Sequence, residues 1–249
     1  MLKYLTIFAL ISMSFVSDNT PSFKDAQLEN SRVLTAFMEK GEEAYAKLKA
    51  AGVSHFSYDM YIRAFKFEEV LEVWAKNKED STYSLVNTYP FCSNVGSLGP
   101  KRKEGDNQIP EGFYNLSKFN PTSSFYLSLK VDYPNACDSV HADKVRPGGM
   151  IFIHGGCKTI GCIPITDDGI KELYVLCVEA KEGGQGNIPI HIFPAKLTEE
   201  NMVLMRKQYT PDLLSFWVQL KRGYDLFEEN KRIPRVVMSS RGEYFCFPD

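Results

Sequence analysis

The sequence has no excess of charge of either sign. Its 29 lysines and arginines oppose 31 aspartates and glutamates, for a formal net charge of -2. Nucleic-acid-binding proteins normally carry a strong basic excess, so that class is excluded. With 249 residues, 44% apolar and 24% charged, the composition is that of a folded globular protein. The length suits one large domain or two small ones, and it buries a core without a disulfide framework.

A long hydrophobic run is also missing. The most apolar stretch extends from Tyr4 to Val16, which is short of the ~20 residues that a spanning helix needs. It follows Lys3 and is accompanied by small residues at Ser12, Ser14 and Ser17, a pattern that predicts a secretory signal peptide over residues 1–17. The alternative is a buried N-terminal helix. We therefore expect an exported protein with no stable membrane span, located in the periplasm or cell envelope.

The cysteines do not follow the regular spacing of a disulfide framework. They are Cys92, Cys137, Cys157, Cys162, Cys177 and Cys246. In an oxidising compartment disulfides are allowed, but this spacing selects no pairing. Cys177 continues the helical pattern of Ile170, Leu173 and Tyr174, which predicts a small buried apolar residue. Pairing among the remaining cysteines stays open.

The chain shows no internal repeat and no low-complexity linker. Helical patterns occupy an N-terminal segment, residues 18–60, and a C-terminal appendage, residues 197–249, with a β-rich middle at 61–196. Aromatic and β-branched runs such as "MYIRAFKFEEVLEVWAKN", "TYSLVNTYPF", "GGMIFIHGG" and "NIPIHIFP" predict strands. Thr166 is expected to cap a helix running to Ala180, with Asp167 and Asp168 placed by the helix dipole. The predicted class is α+β.

The stretch "HGGCKTIGC", residues 154–162, concentrates reactive side chains. His154 ends an apolar strand, and Cys162 lies in the loop that leads to the next helix, a position that favours the thiolate. An imidazole next to a thiol takes its proton and returns it to a leaving amine, and nearby backbone amides stabilise an oxyanion. The residues alone allow three interpretations: a Cys/His nucleophilic site, a zinc site, or a structural turn with inert or bridged cysteines.

The spacing weakens the zinc interpretation. It would use His154, Cys157 and Cys162, yet these cysteines are not in the C-x2-4-C arrangement, and the other histidines form no H-x3-5-H pair. A fourth ligand is missing from the local sequence. No metal or other cofactor is therefore expected.

The sequence "IFIHGGCKTIGCIPITDDGIKELY" resembles the L,D-transpeptidase catalytic domain (YkuD type), and in particular its YafK-like branch. The flanking stretches "YPFCSNVGSLGPKRKEGDNQIPEGFYNLSKFNPTSSFYLSLKVDYPN" and "IPIHIFPAKLTEENM" also resemble that branch. The resemblance covers residues from about Arg63 to Met202, and the helical start "SRVLTAFMEKGEEAYAKL" fits it as well. It implies a mostly β catalytic domain flanked by helical segments.

The resemblance also implies roles for individual residues. Cys162 matches the nucleophile and His154 its base, with a backbone carbonyl at Gly155 or Gly156 as third member. Thr159 matches a serine or threonine position of the family and is expected to order the loop. Gly161 would let the backbone approach the substrate carbonyl. The implied substrate is a peptidoglycan stem peptide, attacked to give a thioester that an amine resolves by transpeptidation or water by hydrolysis.

The sequence departs from the broader family two residues after the nucleophile. Pro164 stands where that family carries an arginine, whose guanidinium suits a substrate carboxylate. This puts cross-linking in doubt and gives hydrolysis of a link between peptidoglycan and an attached protein equal weight. The possible replacements for the lost charge are Lys101, Arg102 and Arg146, and Tyr126 is a candidate wall of the cleft, although each has an ordinary solvated or core alternative. His191 is expected to have a packing role. The competing functional hypothesis is an exported peptidoglycan-binding protein without catalysis.

Overall fold

In residues 20–249, which the computed structural model describes, eight strands form one mixed sheet in the order β3-β2-β1-β8-β4-β5-β6-β7. The predicted signal peptide lies outside the described residues. The helices and strands are α1 Phe23–Leu28, α2 Ser31–Ala50, β1 Tyr58–Phe65, β2 Val70–Asn77, β3 Ser84–Pro90, β4 Gly112–Asn120, β5 Ser128–Val131, α3 Ala136–His141, β6 Phe152–His154, β7 Ile163–Pro164, α4 Thr166–Glu182, β8 Pro189–Phe193, α5 Glu199–Gln208, α6 Pro211–Asn230, β9 Arg235–Met238 and β10 Tyr244–Phe247. The pairs β1–β8 and β6–β7 are parallel, and the other neighbours in the sheet are antiparallel.

Strand β1 is buried on both faces of the sheet. Met60, Ile62 and Ala64 point into one apolar core, whereas Tyr61 and Phe65 point to clusters on the opposite face. This division follows from the two-residue period of a strand. The two faces therefore need two separate helical covers, one formed by α2 and α4 and the other by α6.

Helices α2 and α4 cover the first face. Helix α4 is buried along most of its length, and Cys177 is fully buried in it, as the helical pattern predicted. Helix α2 packs on α4 through one stripe that contains Val33, Ala36, Ala44 and Leu48, all in the same core as the strands. The N-terminal helices thus complete the core of the β-rich middle, and the segment boundary expected at 60/61 falls inside β1.

Helix α6 covers the second face. Trp217, Leu220 and Tyr224 recur at helical spacing and pack against sheet residues such as Phe65 and Phe193. The C-terminal β9–β10 hairpin contacts the same helix. This hairpin closes a segment for which the sequence had predicted helices.

The turn-rich stretch between β3 and β4 is fastened by a buried ion pair. Lys66 Nζ lies 2.9 Å from Glu111 Oε1 and also donates to the carbonyl of Gly99. The other oxygen of Glu111 accepts from the indole N–H of Trp217. A buried charge is tolerated only when it is paired and hydrogen-bonded, and both conditions hold here. These contacts fix the turn-rich stretch, which flanks the glycine- and cysteine-rich loop of residues 154–162.

The α+β class is confirmed, with a β-rich middle and helices toward both ends of the chain. The strands predicted from the four aromatic and β-branched runs are all present. Across residues 20–249, no helix has the length and apolar character needed to cross a membrane.

Candidate active site

His154 is the last residue of β6 and is almost fully buried. Its Nδ1 lies 2.5 Å from the carbonyl oxygen of Gly155, and its ring packs on the ring of Phe125 at 4.5 Å between centroids. A carbonyl oxygen only accepts, so Nδ1 carries the proton and Nε2 is left as a bare base. Burial lowers the pKa of His154 below its ordinary value, and the bond to Gly155 partly opposes that shift. The imidazole is therefore neutral near pH 7.

Cys162 directly precedes β7. Parallel pairing of Ile163 with Ile153 brings the thiol back alongside β6, on the same cleft as His154. The Sγ atom lies 3.5 Å from the carbonyl oxygen of Met150. Burial raises the pKa of the Cys162 thiol, and the Phe152 N–H and the Lys101 charge only partly oppose it. The thiolate expected from a nearby helix N-terminus is therefore not the resting form, because burial outweighs the opposing effects.

Thr159 organises the backbone around the nucleophile. Its Oγ1 accepts from the backbone N–H of Cys162 at 2.8 Å and from that of Gly161 at 3.2 Å, and it donates to the carbonyl of Cys162 at 2.9 Å. These contacts join the Thr159 side chain to the backbone of its own loop, and the loop-ordering role stays a prediction. The hydroxyl also accepts from the backbone amides of Gly161 and Cys162, which are therefore not free at rest.

Two glycines of the motif are required by close backbone approaches. A Cβ on Gly155 would lie 2.8 Å from the carbonyl oxygen of Phe125 and even closer to the carboxylate of Asp167. Gly161 has φ +129, and a Cβ there would lie 2.8 Å from the carbonyl oxygen of Gln108. L side chains rarely adopt that φ, so position 161 favours glycine for its backbone conformation as well as for space, whereas position 155 favours it for space alone. The absent side chain at 161 makes room for Gln108 of the turn-rich stretch.

Cys157 forms a disulfide with Cys92, 65 residues away in the chain. The bond ties the glycine- and cysteine-rich loop to the segment after β3. It leaves Cys162 as a free thiol and removes Cys157 from the trio that the zinc interpretation required. Among residues 20–249, no group of three or more histidine, cysteine or acidic side chains is arranged to hold a metal ion.

Cys162 lies where two clefts meet. One, of about 330 Å³, is lined by residues that include Ser123, Phe125, His154 and Ile160. The other, of about 270 Å³, is lined by residues that include Lys101, Glu104, Gly149 and Gly161. Both also contain Met150 and Ile160, whose side chains are 70% and 77% exposed and form apolar lips beside the thiol. A chain laid along both clefts would pass over Sγ.

The three basic residues considered as replacements for the missing arginine have different surroundings near the two clefts. Lys101 lines the second cleft but is buried and paired with Asp106 at 2.5 Å. Arg146 is exposed and pairs with Glu104, a residue of the same cleft. The Arg102 guanidinium lies over the ring of Phe216, 6.0 Å from its centroid, and Arg102 does not line either cleft.

The aromatic candidate, Tyr126, does not line either cleft. Tyr126 packs against Arg32 and Lys171, and its neighbour Phe125 takes the place in the cleft. His191, which was expected to have a packing role, is buried with Nδ1 2.6 Å from the hydroxyl of Tyr61.

The sequence did not single out three features of the site: Cys92, the apolar lips, and Asp167, whose Oδ1 accepts from the backbone N–H of Gly156 at 2.8 Å. Met150 and Ile160 did carry a signal, since each is a large apolar residue next to glycine within a turn. Cys92 and Asp167 carried no signal for these particular contacts, because Cys157 is 65 residues from Cys92 and Gly156 is 11 residues from Asp167.

The chain matches the model of the L,D-transpeptidase catalytic domain (YkuD) over residues 60–192. It is 37% identical over 179 residues to a protein of Escherichia coli K12 named "Putative L,D-transpeptidase YafK", covering 71% of this chain and 70% of that one. Among solved structures it is similar to the helical cell shape determining protein Pgp2 of Campylobacter jejuni, at 17% identity, TM-score 0.45, and 79% and 80% coverage. Bd1075 of Bdellovibrio bacteriovorus matches at 24% identity, TM-score 0.39, and 71% and 62% coverage.

Proposed function

Since the chain belongs to the L,D-transpeptidase catalytic domain family, we propose that it is an exported cysteine enzyme that acts on peptidoglycan stem peptides through a thioester on Cys162. One observation carries the proposal: a neutral histidine with a bare Nε2 and a free thiol line the same cleft. The family supplies the substrate class, and the geometry supports the assignment of base and nucleophile.

The chemistry follows from the protonation states. Because burial lowers the pKa of His154 and raises that of Cys162, the resting pair is a neutral imidazole and a thiol. Nε2 takes the thiol proton as Sγ attacks the stem carbonyl carbon. The tetrahedral intermediate collapses by breaking the C–N bond, and the imidazolium returns the proton to the departing amine. Gly155 accepts the Nδ1–H throughout, so it stabilises the imidazolium while the positive charge lasts.

The thioester is resolved by a second nucleophile that enters from the other cleft. An amine gives transpeptidation, and water gives hydrolysis; in both cases His154 takes the proton and Cys162 leaves as the thiol. The two clefts that meet at Cys162 provide separate approaches for the acyl group and the nucleophile. The developing oxyanion shares the amides of Gly161 and Cys162 with Thr159 Oγ1, which keeps both N–H groups in place.

The departure at Pro164 bears on the choice between the two outcomes. Pro164 is buried and paired with His154 in the sheet, so it presents no charge to a substrate. Lys101 is the cation whose charge reaches Cys162, and it is already neutralised by Asp106. A weakly charged groove with apolar lips also fits a protein chain attached to peptidoglycan, so hydrolysis of such a link has equal weight with transpeptidation.

Export is part of the proposal, and the Cys92–Cys157 disulfide supports it. Structural disulfides persist in oxidising compartments such as the periplasm. Assays therefore have to be run without reductant, because a reduced protein would lose the tie on its active-site loop.

The test is mass spectrometry of muropeptides, with and without attached protein fragments, after incubation with wild-type protein, Cys162→Ala and His154→Gln. We expect cleaved or newly joined peptides with wild type and none with either variant. Isotopically labelled water entering the product identifies hydrolysis. If no product forms but wild type and both variants retain peptidoglycan equally in a pull-down, the protein is a binding module and the enzyme proposal is wrong.

A further inference from the structure

Asp167 acts on the same peptide unit that holds His154. The carbonyl oxygen of Gly155 accepts from Nδ1 of His154 at 2.5 Å, and the N–H on the other side of that peptide, from Gly156, donates to Asp167 Oδ1 at 2.8 Å. Imidazole, peptide and carboxylate therefore form one hydrogen-bonded chain.

The fold brings these groups together at a sheet edge. The N–H of Ile165 donates to the carbonyl of His154 at 3.0 Å, which sets the start of α4 against the end of β6. The N–H of Gly155 is held by the carbonyl of Phe125, so the turn is fixed from the opposite side. A side chain on Gly155 would overlap the Asp167 carboxylate. Glycine at 155 is therefore what lets the carboxylate reach the peptide.

The negative charge of Asp167 polarises this series of hydrogen bonds toward His154. A carboxylate that accepts from an amide N–H shifts electron density of that peptide toward its oxygen, and linked hydrogen bonds polarise one another. The Gly155 oxygen becomes a stronger acceptor for Nδ1–H, both in the neutral ring and in the imidazolium. A carboxylate bonded directly to a catalytic histidine fixes its tautomer and stabilises its charge. Here one peptide unit lies in between.

We propose that Asp167 is a positioning residue for His154, acting through the Gly155–Gly156 peptide to keep the proton on Nδ1 and Nε2 free. The effect on turnover rests on the proposed function; the effect on the histidine tautomer does not.

The competing explanation is that Asp167 only complements the dipole of α4. Asp168 separates the two explanations, because it also lies in the first turn of α4. Its carboxylate is directed to Lys171 and Lys40, at 3.4 and 4.0 Å, and it is 72% exposed. Within the described chain, Asp167 takes part in no ion pair. Asp168→Asn therefore removes the same dipole charge without touching the histidine.

The experiment is nitrogen NMR of histidine-labelled protein, without reductant, with the His154 signals assigned from the His154→Gln variant. In wild type and in Asp168→Asn we expect the Nδ1–H tautomer of His154 to dominate. In Asp167→Asn, which keeps an oxygen acceptor but loses the charge, we expect a mixture of tautomers and a lower imidazole pKa. Asp167→Ala should shift further in the same direction, and Asp167→Glu should restore part of the wild-type signal.

Turnover supplies a second readout. We expect kcat of Asp167→Asn to fall about tenfold, because the hydrogen bond from the Gly156 N–H loses the charge that strengthens it, with KM within about twofold of wild type. If both asparagine variants lose equal thermal stability but leave the His154 tautomer and kcat unchanged, Asp167 is only a dipole partner and the proposal is wrong. If wild type shows no activity on any stem peptide, the proposed function fails, yet the NMR comparison still decides the role of Asp167.

Discussion

The hydroxyl of Thr159 accepts a hydrogen bond from the backbone N–H of Cys162, with 2.8 Å between the two atoms. It also binds the Gly161 N–H and the carbonyl of Cys162, so one side chain satisfies three backbone groups. The nucleophile is thus held by its own loop before any substrate arrives.

Removing this hydroxyl is expected to loosen the loop. In Thr159→Val, which keeps the shape, we expect kcat/KM to fall about tenfold and the free energy of unfolding to fall by about 1–3 kcal/mol, because partly buried backbone groups lose their partner. Thr159→Ser keeps the hydroxyl and serves as the control. Muropeptide turnover and urea denaturation measure the two effects. Wild-type kinetics for the valine variant would mean that the hydroxyl has no part in catalysis.

The reactivity of Cys162 is expected to increase with pH. Burial raises the pKa of its thiol, so the thiolate forms only above the ordinary thiol range. Burial lowers the pKa of His154, so the base stays neutral and active below its ordinary value of about 6.5. The fall in turnover on the acid side should therefore have its midpoint below pH ~6.5. The rate of alkylation by iodoacetamide should keep rising at alkaline pH. Fast alkylation that is constant down to mildly acidic pH would instead indicate a thiolate–imidazolium pair.

The Cys92–Cys157 disulfide is expected to stabilise the fold and the active-site loop. A bond that closes a loop of this length contributes roughly 2–4 kcal/mol by restricting the unfolded chain. Dithiothreitol should therefore lower the melting temperature and the turnover of wild type, and reoxidation should restore both.

The double variant Cys92→Ser/Cys157→Ser is the matched control. It should behave like reduced wild type and should not respond to dithiothreitol, since Cys162 stays free in both. Mass mapping of the non-reduced protein should find Cys92 linked to Cys157. A linkage of Cys157 to Cys162 would contradict the structure and would inactivate the nucleophile.

The burial of His191 is expected to lower the free energy of unfolding at acid pH. It is buried against Tyr61, and burial lowers its pKa to about 3. The unfolded chain binds this proton near pH 6.5, so stability is complete above that value and declines as pH falls toward 3. Between pH 7 and 5 the loss from this residue is about 2 kcal/mol. Urea denaturation at both pH values measures it, and His191→Asn should lack this part of the pH dependence. An equal pH dependence in the variant would contradict the assignment.

Local patterns predicted much of the fold because much of it depends on local periodicity. Strand β1 and helix α4 follow directly from alternation and from helical spacing. The placement of the helices did not follow: nothing in the stripe of α2 that contains Val33 and Ala44 indicates that it covers α4. Short elements such as β7 exist only because of their tertiary partner, and the sequence did not reveal them.

The site divides in the same way. His154, Thr159 and Cys162 stand within one short motif, so their proximity was predictable. Cys92 is 65 residues from Cys157, and only the folded sheet brings the two together. Asp167 was assigned to the helix dipole, because its bond to Gly156 arises from the return of the chain after β6. Lys101 stands in a basic run that suggested a cationic rim around the cleft. In the structure its ammonium group is instead paired with Asp106.

The central claim is that an acyl group of the stem peptide is carried on Cys162. Rapid acid quench of non-reduced protein with excess muropeptide, followed by intact-mass measurement and peptide mapping, tests it most directly. We predict a mass increase equal to the acyl fragment on the peptide that contains Cys162, released by hydroxylamine and absent from Cys162→Ala. Product formation by Cys162→Ala, or an acyl group on any other residue, would contradict the account.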